Sequence, residues 1–235
     1  MENFHTFVDY VLITKRWEYG IAFAFMFAFI FFFTYLQAPK AVPQKAAGLV
    51  RRAIDLIQGF LVPENLYFHQ GHAWARVDSD SRATIGLDDF AQKLVGRITA
   101  IDLPKAGAIL KQGEKAWKIT VDSKEFEMLS PIEGKVVAVN PLLASSAQAL
   151  KNDPYGKGWM LKIESPSLSS NLKNLFKGDL AKKWTEKVLE DLSAKSNLDL
   201  GLVLADGGAP IDGMAKALDR ENWDLIVRES FLTEE

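Results

Sequence analysis

The feature that most limits how this chain can fold is an uninterrupted apolar run from Tyr19 to Leu36, with phenylalanine recurring from Phe23 to Phe33 and no charged residue inside it. At about 1.5 Å per residue, a helix over residues 18–37 reaches about the hydrocarbon thickness of a bilayer. Trp17 and Tyr19 at one end and Tyr35 at the other fit the aromatic belts of the two water interfaces. The expectation is a single transmembrane helix within an N-terminal segment of residues 1–38. Two other readings compete. A buried core helix would normally carry a polar face, and this run has none. A cleaved signal peptide would start nearer the N-terminus and end on small residues, not on Gln37-Ala38-Pro39-Lys40. Lys15 and Arg16 precede the run, whereas Lys40, Lys45, Arg51 and Arg52 follow it. The richer flank tends to stay inside, so a single-pass protein of the cytoplasmic (inner) membrane is expected, with its C-terminal domain in the cytoplasm.

Pro39 and Pro43 stop the helix. Residues 39–65 then read as a linker in which Gly48 to Phe60 form an amphipathic helix. Val50, Ile54 and Ile57 lie on one side, and Arg51, Arg52, Asp55 and Gln58 on the other. Such a helix could rest on lipid or pack on the domain that follows.

The remaining composition excludes several classes. The net charge is −2, with acids and bases interspersed, so there is no basic stripe for nucleic acid. Cysteine is absent, which removes disulfides, thiolate metal sites and cysteine nucleophiles. The histidines are His5, His69 and His72, too few and too far from other donors for a metal site; His69 and His72 read as hydrogen-bonded scaffold residues. No nucleophile–base pair or paired-carboxylate motif emerges, so neither a catalytic nor a metal residue is assigned.

Between Leu66 and Ile163 short β-branched and aromatic runs alternate with glycine, proline and aspartate, the mark of many short strands. The candidates are residues 74–77, 83–86, 98–101, 116–119, 135–139 and 159–163. Asp88 to Leu94 reads as a short helix with Leu87, Phe90, Ala91 and Leu94 on one face. Asp153-Pro154-Tyr155-Gly156 is a turn, and Gly134 follows the Ser130-Pro131 corner, where a missing Cβ permits a tight turn.

Several of these blocks are specific in order and spacing: His72-x-Trp74-x-Arg76-Val77, Ala83-Thr84-Ile85-Gly86-Leu87-x-Asp89-Phe90-Ala91-Gln92, Ser130-Pro131-Ile132-x-Gly134 and Asn152-Asp153-Pro154-Tyr155-Gly156-x-Gly158-Trp159. On them the chain resembles the H proteins of the glycine cleavage system. The resemblance implies a lipoyl-type hybrid of barrel and sandwich over residues 66–176, with a hairpin projecting from one end. It also implies a lipoyl group on one lysine at the hairpin tip. Counted back from Ser130-Pro131, that lysine position is held here by Ser123, which cannot form the lipoyl amide. Lys124 is next to it, but side chains alternate faces along a strand, so a one-residue slip turns the amine to the other side. Glu125-Phe126-Glu127 also depart from the small residues that the family places there.

Residues 177–235 have no counterpart in a minimal H protein. Asp179 to Ala194 reads as a helix with Leu180, Trp184, Val188 and Leu192 as its apolar stripe. A strand over 197–204, a turn at 206–210 and helices over 211–218 and 220–232 complete a mainly helical extension. Asp206-Gly207-Gly208 lacks the lysine and hydroxyl residue of a phosphate loop and reads as a plain turn. Trp184 and Trp223 are large anchors for core packing or for a partner. The fold class expected is therefore α+β: one transmembrane helix, a β-rich lipoyl-type domain and a helical extension. The function expected is a non-catalytic, cofactor-free scaffold or docking subunit in a membrane complex, a redox or respiratory assembly being one such setting. Its partners would be integral-membrane or peripheral subunits, plus the bilayer through residues 18–37. The alternative is a carrier with lipoate on Lys124.

Overall fold

In the computed structural model the described residues are 15, 19, 21, 23–32, 56–145, 147–196, 204–205 and 209–233. The chain divides into two units, Met1–Gly48 and Leu49–Glu235. In the first, residues 23–32 are helical and exposed. Among the described residues no helix is long and apolar enough to cross a membrane. The expected transmembrane helix over 18–37 is thus without support, and the single-pass inner-membrane placement built on it is overturned.

The second unit begins with a correction. Where an amphipathic helix was expected to run to Phe60, β1 (Leu56–Ile57) and β2 (Phe60–Leu61) form a hairpin. Gln58 and Gly59 take φ of 47° and 86°, which no helix permits. Residues 48–55 lie outside the described set.

The main sheet joins β3 (Tyr67–Phe68), β4 (Ala73–Ser79), β5 (Arg82–Leu87), β7 (Ile109–Leu110), β10 (Gly134–Val139), β11 (Leu161–Glu164) and β12 (Phe176–Lys177), in the order β12-β3-β4-β5-β11-β10-β7. Every pairing in it is antiparallel. A second sheet has the order β6-β8-β9, with β6 at Ala100–Asp102, β8 at Lys115–Val121 and β9 at Lys124–Leu129. The alternation that makes these strands is plain in β8: Trp117, Ile119 and Val121 are buried, while Lys118 and Thr120 are not. In β9, Phe126 and Met128 answer them from the same core. Gly134 opens β10 at φ 144°, and a Cβ there would stand 2.4 Å from the carbonyl oxygen of Glu164. Its role is close approach of β10 to β11.

Helix α1 (Asp89–Val95) crosses the core. Asp88 caps it by accepting from the Ala91 amide at 2.7 Å, and Gly96, at φ 79°, ends it. Short helices α2 (Pro141–Ser145), α3 (Gln148–Asn152) and α4 (Leu168–Asn171) lie in the connections on either side of β11. The Asp153–Gly156 turn places Tyr155, whose hydroxyl donates to the Leu61 carbonyl at 2.6 Å and accepts from the Asp89 amide at 3.1 Å. Burial, with the carboxylates of Asp88 and Asp89 nearby, pushes the Tyr155 phenol well above its ordinary pKa.

The extension continues this unit. Helix α5 (Asp179–Ser196) buries Ala181, Thr185, Leu189 and Leu192; of the expected stripe, Leu192 is buried and Trp184 and Val188 pack against the core, while Leu180 is 57% exposed. Two-residue strands β13 (Leu204–Ala205) and β14 (Ala209–Pro210) pair, and α6 (Met214–Leu218) and α7 (Trp223–Ser230) follow. Residues 197–203 and 206–208, where a longer strand and the glycine turn were expected, lie outside the described set. Met214, Ala215, Leu218, Trp223, Val227 and Phe231 share one core cluster with the sheets. Gly96 is what lets α6 close on α1. A Cβ at Gly96 would stand 2.9 Å from the Gly213 Cα, and the Gly213 amide donates to the Lys93 carbonyl at 2.8 Å.

Candidate functional site

The projecting hairpin is β8–β9. Asp122 and Ser123 connect its strands with φ of 47° and 65°, the pair of positive values that matches the right-handed twist of flanking strands in a two-residue turn. Ser123 therefore lies, with Asp122, at the exposed tip. Lys124 is one step inside the strand, opposite Val121.

Lys124 does not project freely. Its Nζ donates to Asp224 Oδ1 at 2.7 Å and lies 5.2 Å from the Trp223 ring centre. Both partners belong to the first turn of α7. The side chain keeps 41% of its exposure and Asp224 keeps 22%, so this is a surface pair of modest energy. The Lys124 ammonium nonetheless holds the Asp224 carboxyl below its ordinary pKa.

The clamp extends along the hairpin. Lys216, on α6, pairs with Asp122 at the tip, and its Nζ lies 4.6 Å from the Trp223 ring. Arg228, on α7, donates from Nη2 to the Glu125 carbonyl at 3.4 Å and sits 5.5 Å from the Phe126 ring. Beneath these charges Phe126 meets Trp223 at 5.4 Å, and Phe231 edge-on at 6.5 Å. Edge-on and tilted rings at such distances are favourable beyond their buried area. Residues 123 and 124 thus come together as their numbers require, but the covering residues Lys216, Trp223, Asp224 and Arg228 lie about a hundred positions away. Of these only Trp223 was singled out from the sequence. The available signal for the rest was weak: an acid and a base one turn apart behind a tryptophan.

His5 lies outside the described residues. His69 accepts from the Gly71 amide at 3.0 Å, and burial together with His72 lowers its pKa. His72 is 2% exposed, takes φ 60°, and shares a 2.9 Å hydrogen bond with Asp88 through Nδ1. No group of three or more metal-ligating side chains occurs among the described residues.

The glycine cleavage H-protein family profile matches residues 66–188. Relatives include glycine cleavage system H proteins of Stenotrophomonas maltophilia, 39% identical over 103 residues covering 44% of this chain and 79% of that one, and of Opitutus terrae, 41% identical with 44% and 81% covered. A probable glycine cleavage system H protein of Pyrococcus abyssi is 35% identical over 127 residues, 54% of this chain and 92% of its own. Among solved structures, a glycine cleavage system H protein from Mycobacterium marinum aligns with a TM-score of 0.48 at 18% identity, over 54% of this chain and 98% of that one. The profile begins at residue 66, beyond the apolar run, so these relatives also lend nothing to the membrane placement. They make the β-rich region a lipoyl-carrier-type domain, and the chain belongs to the glycine cleavage H-protein family.

Proposed function

We propose that this chain is a non-catalytic, lipoyl-free member of its family that serves as a scaffold or docking module in a protein complex. The observation that carries the reading is the hairpin tip: an exposed serine at the turn, with the neighbouring amine held on Asp224 and Trp223. A lipoyl amide needs an unhindered primary amine at the apex. Ser123 offers none, and Lys124 must first break its ion pair. The sheets and core of the family remain, while α6 and α7, beyond the residue 188 at which the family profile ends, add a further surface, which suits binding more than carrying. The near-neutral charge favours a protein partner over nucleic acid.

One observation favours the other reading, a carrier with lipoate on Lys124. The ion pair is a surface one, and a modifying enzyme that bound the hairpin could displace Asp224 at a cost of about 1 kcal/mol or less. The test is the intact mass of the protein purified gently from its own cells, with co-purifying subunits identified in the same run. The expected result is an unmodified chain in a stable complex. A lipoyl increment mapping to Lys124 would replace the scaffold with the carrier, and an unmodified chain found alone would remove the scaffold.

A further inference from the structure

The extension does more than cover the hairpin. Between α5 and the α6–α7 pair it leaves a cleft of about 500 Å³, within the usual range for small-molecule sites. Trp184, Val188, Leu192, Leu225 and Ile226 give it apolar walls. The carboxylates on its lining are already engaged. Asp191 pairs with Lys187 at 2.6 Å. Asp219 accepts from the amides of Glu221 and Asn222 and from the Asn222 side chain, and Glu229 has an interaction of its own. Among the described residues no lysine or arginine lines the cleft. A charged ligand of either sign would therefore give up its water without meeting a free counter-charge, which is costly.

One polar group in the buried part of the lining is not fully engaged. His72 is 2% exposed, and its Nδ1 lies 2.9 Å from the Asp88 carboxylate, which also accepts from the Ala91 amide. Nδ1 is thus the nitrogen that carries the proton, and Nε2 is left as an acceptor. Nε2 makes no hydrogen bond among the described residues. The sealed, partnerless polar atoms of the core are Trp117 Nε1 and Ser165 Oγ, so His72 Nε2 keeps contact with open space, and the cleft is the space that His72 lines. The ring is also fixed in place. Phe90 stacks on it at 4.3 Å and Trp184 lies at 4.9 Å. The His72 amide donates to the His69 carbonyl at 2.9 Å, and its carbonyl accepts from the Asp88 amide at 3.1 Å. These bonds hold the residue at φ 60°, a left-handed conformation that costs energy and is found at ligand clamps.

We propose that this cleft binds a small, neutral, phenol-like molecule. The apolar body of the ligand lies against Trp184 and the aliphatic walls, and its one hydroxyl donates to His72 Nε2. Burial of the ring supplies the affinity, and the single fixed acceptor sets the orientation. The site goes beyond the scaffold reading and depends neither on it nor on whether Lys124 is ever modified.

The full chain is titrated by calorimetry with 4-propylphenol. Tyramine and 3-(4-hydroxyphenyl)propionate serve as its cationic and anionic counterparts of similar shape, and 4-propylanisole as the analogue without the donor. 4-Propylphenol should bind saturably and about tenfold or more tighter than each of the others, a difference of about 1.4 kcal/mol. Leu225→Trp, at an exposed position of α7, fills the cleft and should abolish that binding. Nitrogen-15 resonances of the histidine-labelled protein give a second readout that needs no variant: the His72 Nε2 signal should move with 4-propylphenol and stay in place with 4-propylanisole. Absence of saturable binding by 4-propylphenol would overturn the proposal. So would equal binding of a charged counterpart or of the anisole, an unmoved Nε2 signal, or unchanged binding in a folded Leu225→Trp.

Discussion

The hairpins β4–β5 and β8–β9 both turn through two residues, and their surroundings differ. The first is embedded: β4 pairs outward with β3, and β5 with β11, so both strands have neighbours on each side. The second ends its sheet, since β9 is the last strand in the order β6-β8-β9. An open edge offers unpaired amides and carbonyls to any passing strand, and proteins cover or charge such edges. Here α7 performs that task, with Arg228 on the Glu125 carbonyl and Trp223 and Phe231 on Phe126. Both hairpins have their own backbone ladders, but the outer side of the edge hairpin is held by side chains from far along the chain. The second kind of support can be removed one residue at a time.

The largest break in that contrast is Phe231→Ala. Phe231 is fully buried. The loss should be about 3–5 kcal/mol, read as a lower midpoint in chemical unfolding. Amide exchange should rise in β9 before it rises in β4 or β5; equal rises in both hairpins would mean that α7 does not specifically guard the edge.

Gly96→Ala comes next. The new Cβ meets the Gly213 backbone and the residue must keep φ 79°, so about 1–3 kcal/mol should be lost. The same experiment should again show β9 loosening, now through the displacement of α6.

Asp224→Asn is milder. Stability should fall by about 0.2–1 kcal/mol. The sharper readout is chemical: an amine-specific acylating reagent should modify Lys124 a few-fold faster, while Lys162, on β11, reacts unchanged.

The smallest effect is that of pH. Asp224 has a folded pKa below its unfolded value because Lys124 donates to it. Its contribution is therefore complete above the ordinary aspartate range and disappears as pH falls through the folded value. Exchange in β9 should rise relative to β4 between about pH 5 and pH 2, and the rise should be absent in Asp224→Asn.

Much of the β-rich fold was legible because its signals are local. Trp74–Val77, Ala83–Gly86 and Lys135–Val139 are short runs of β-branched, aromatic and small apolar residues, and they lie within β4, β5 and β10. The Asp88 cap and the apolar face of α1 are readable within eight residues. Failures follow from the same logic. Val50, Ile54 and Ile57 suggested a helix, but the Gln58-Gly59 turn made a hairpin of its end. In α5 the expected stripe holds in part: Leu192 is buried and Trp184 and Val188 pack against the core, but Ala181, Thr185 and Leu189 share the buried side and Leu180 points outward. The apolar run from Tyr19 to Leu36 has the composition of a membrane helix, and composition alone does not supply a helix of the required length among the described residues. At the candidate site, Ser123 could be placed by counting from Ser130-Pro131. Its clamp could not, because Lys124 and Asp224 are a hundred residues apart and nothing in the pattern near either one announces the other.

The seam between Gly96 and Gly213 also has a meaning in time. Chains emerge from the ribosome in order, and structure tends to form as segments become available. Everything needed for β6, β8 and β9 has been made by residue 129, yet the residues that sheathe the outer edge of β9 come only after residue 213. During that interval the strands of this sheet exist without the cover of its outer margin. The last two short helices act as a closing stitch, and a chain stalled before them would be the form most prone to pair with its own copies.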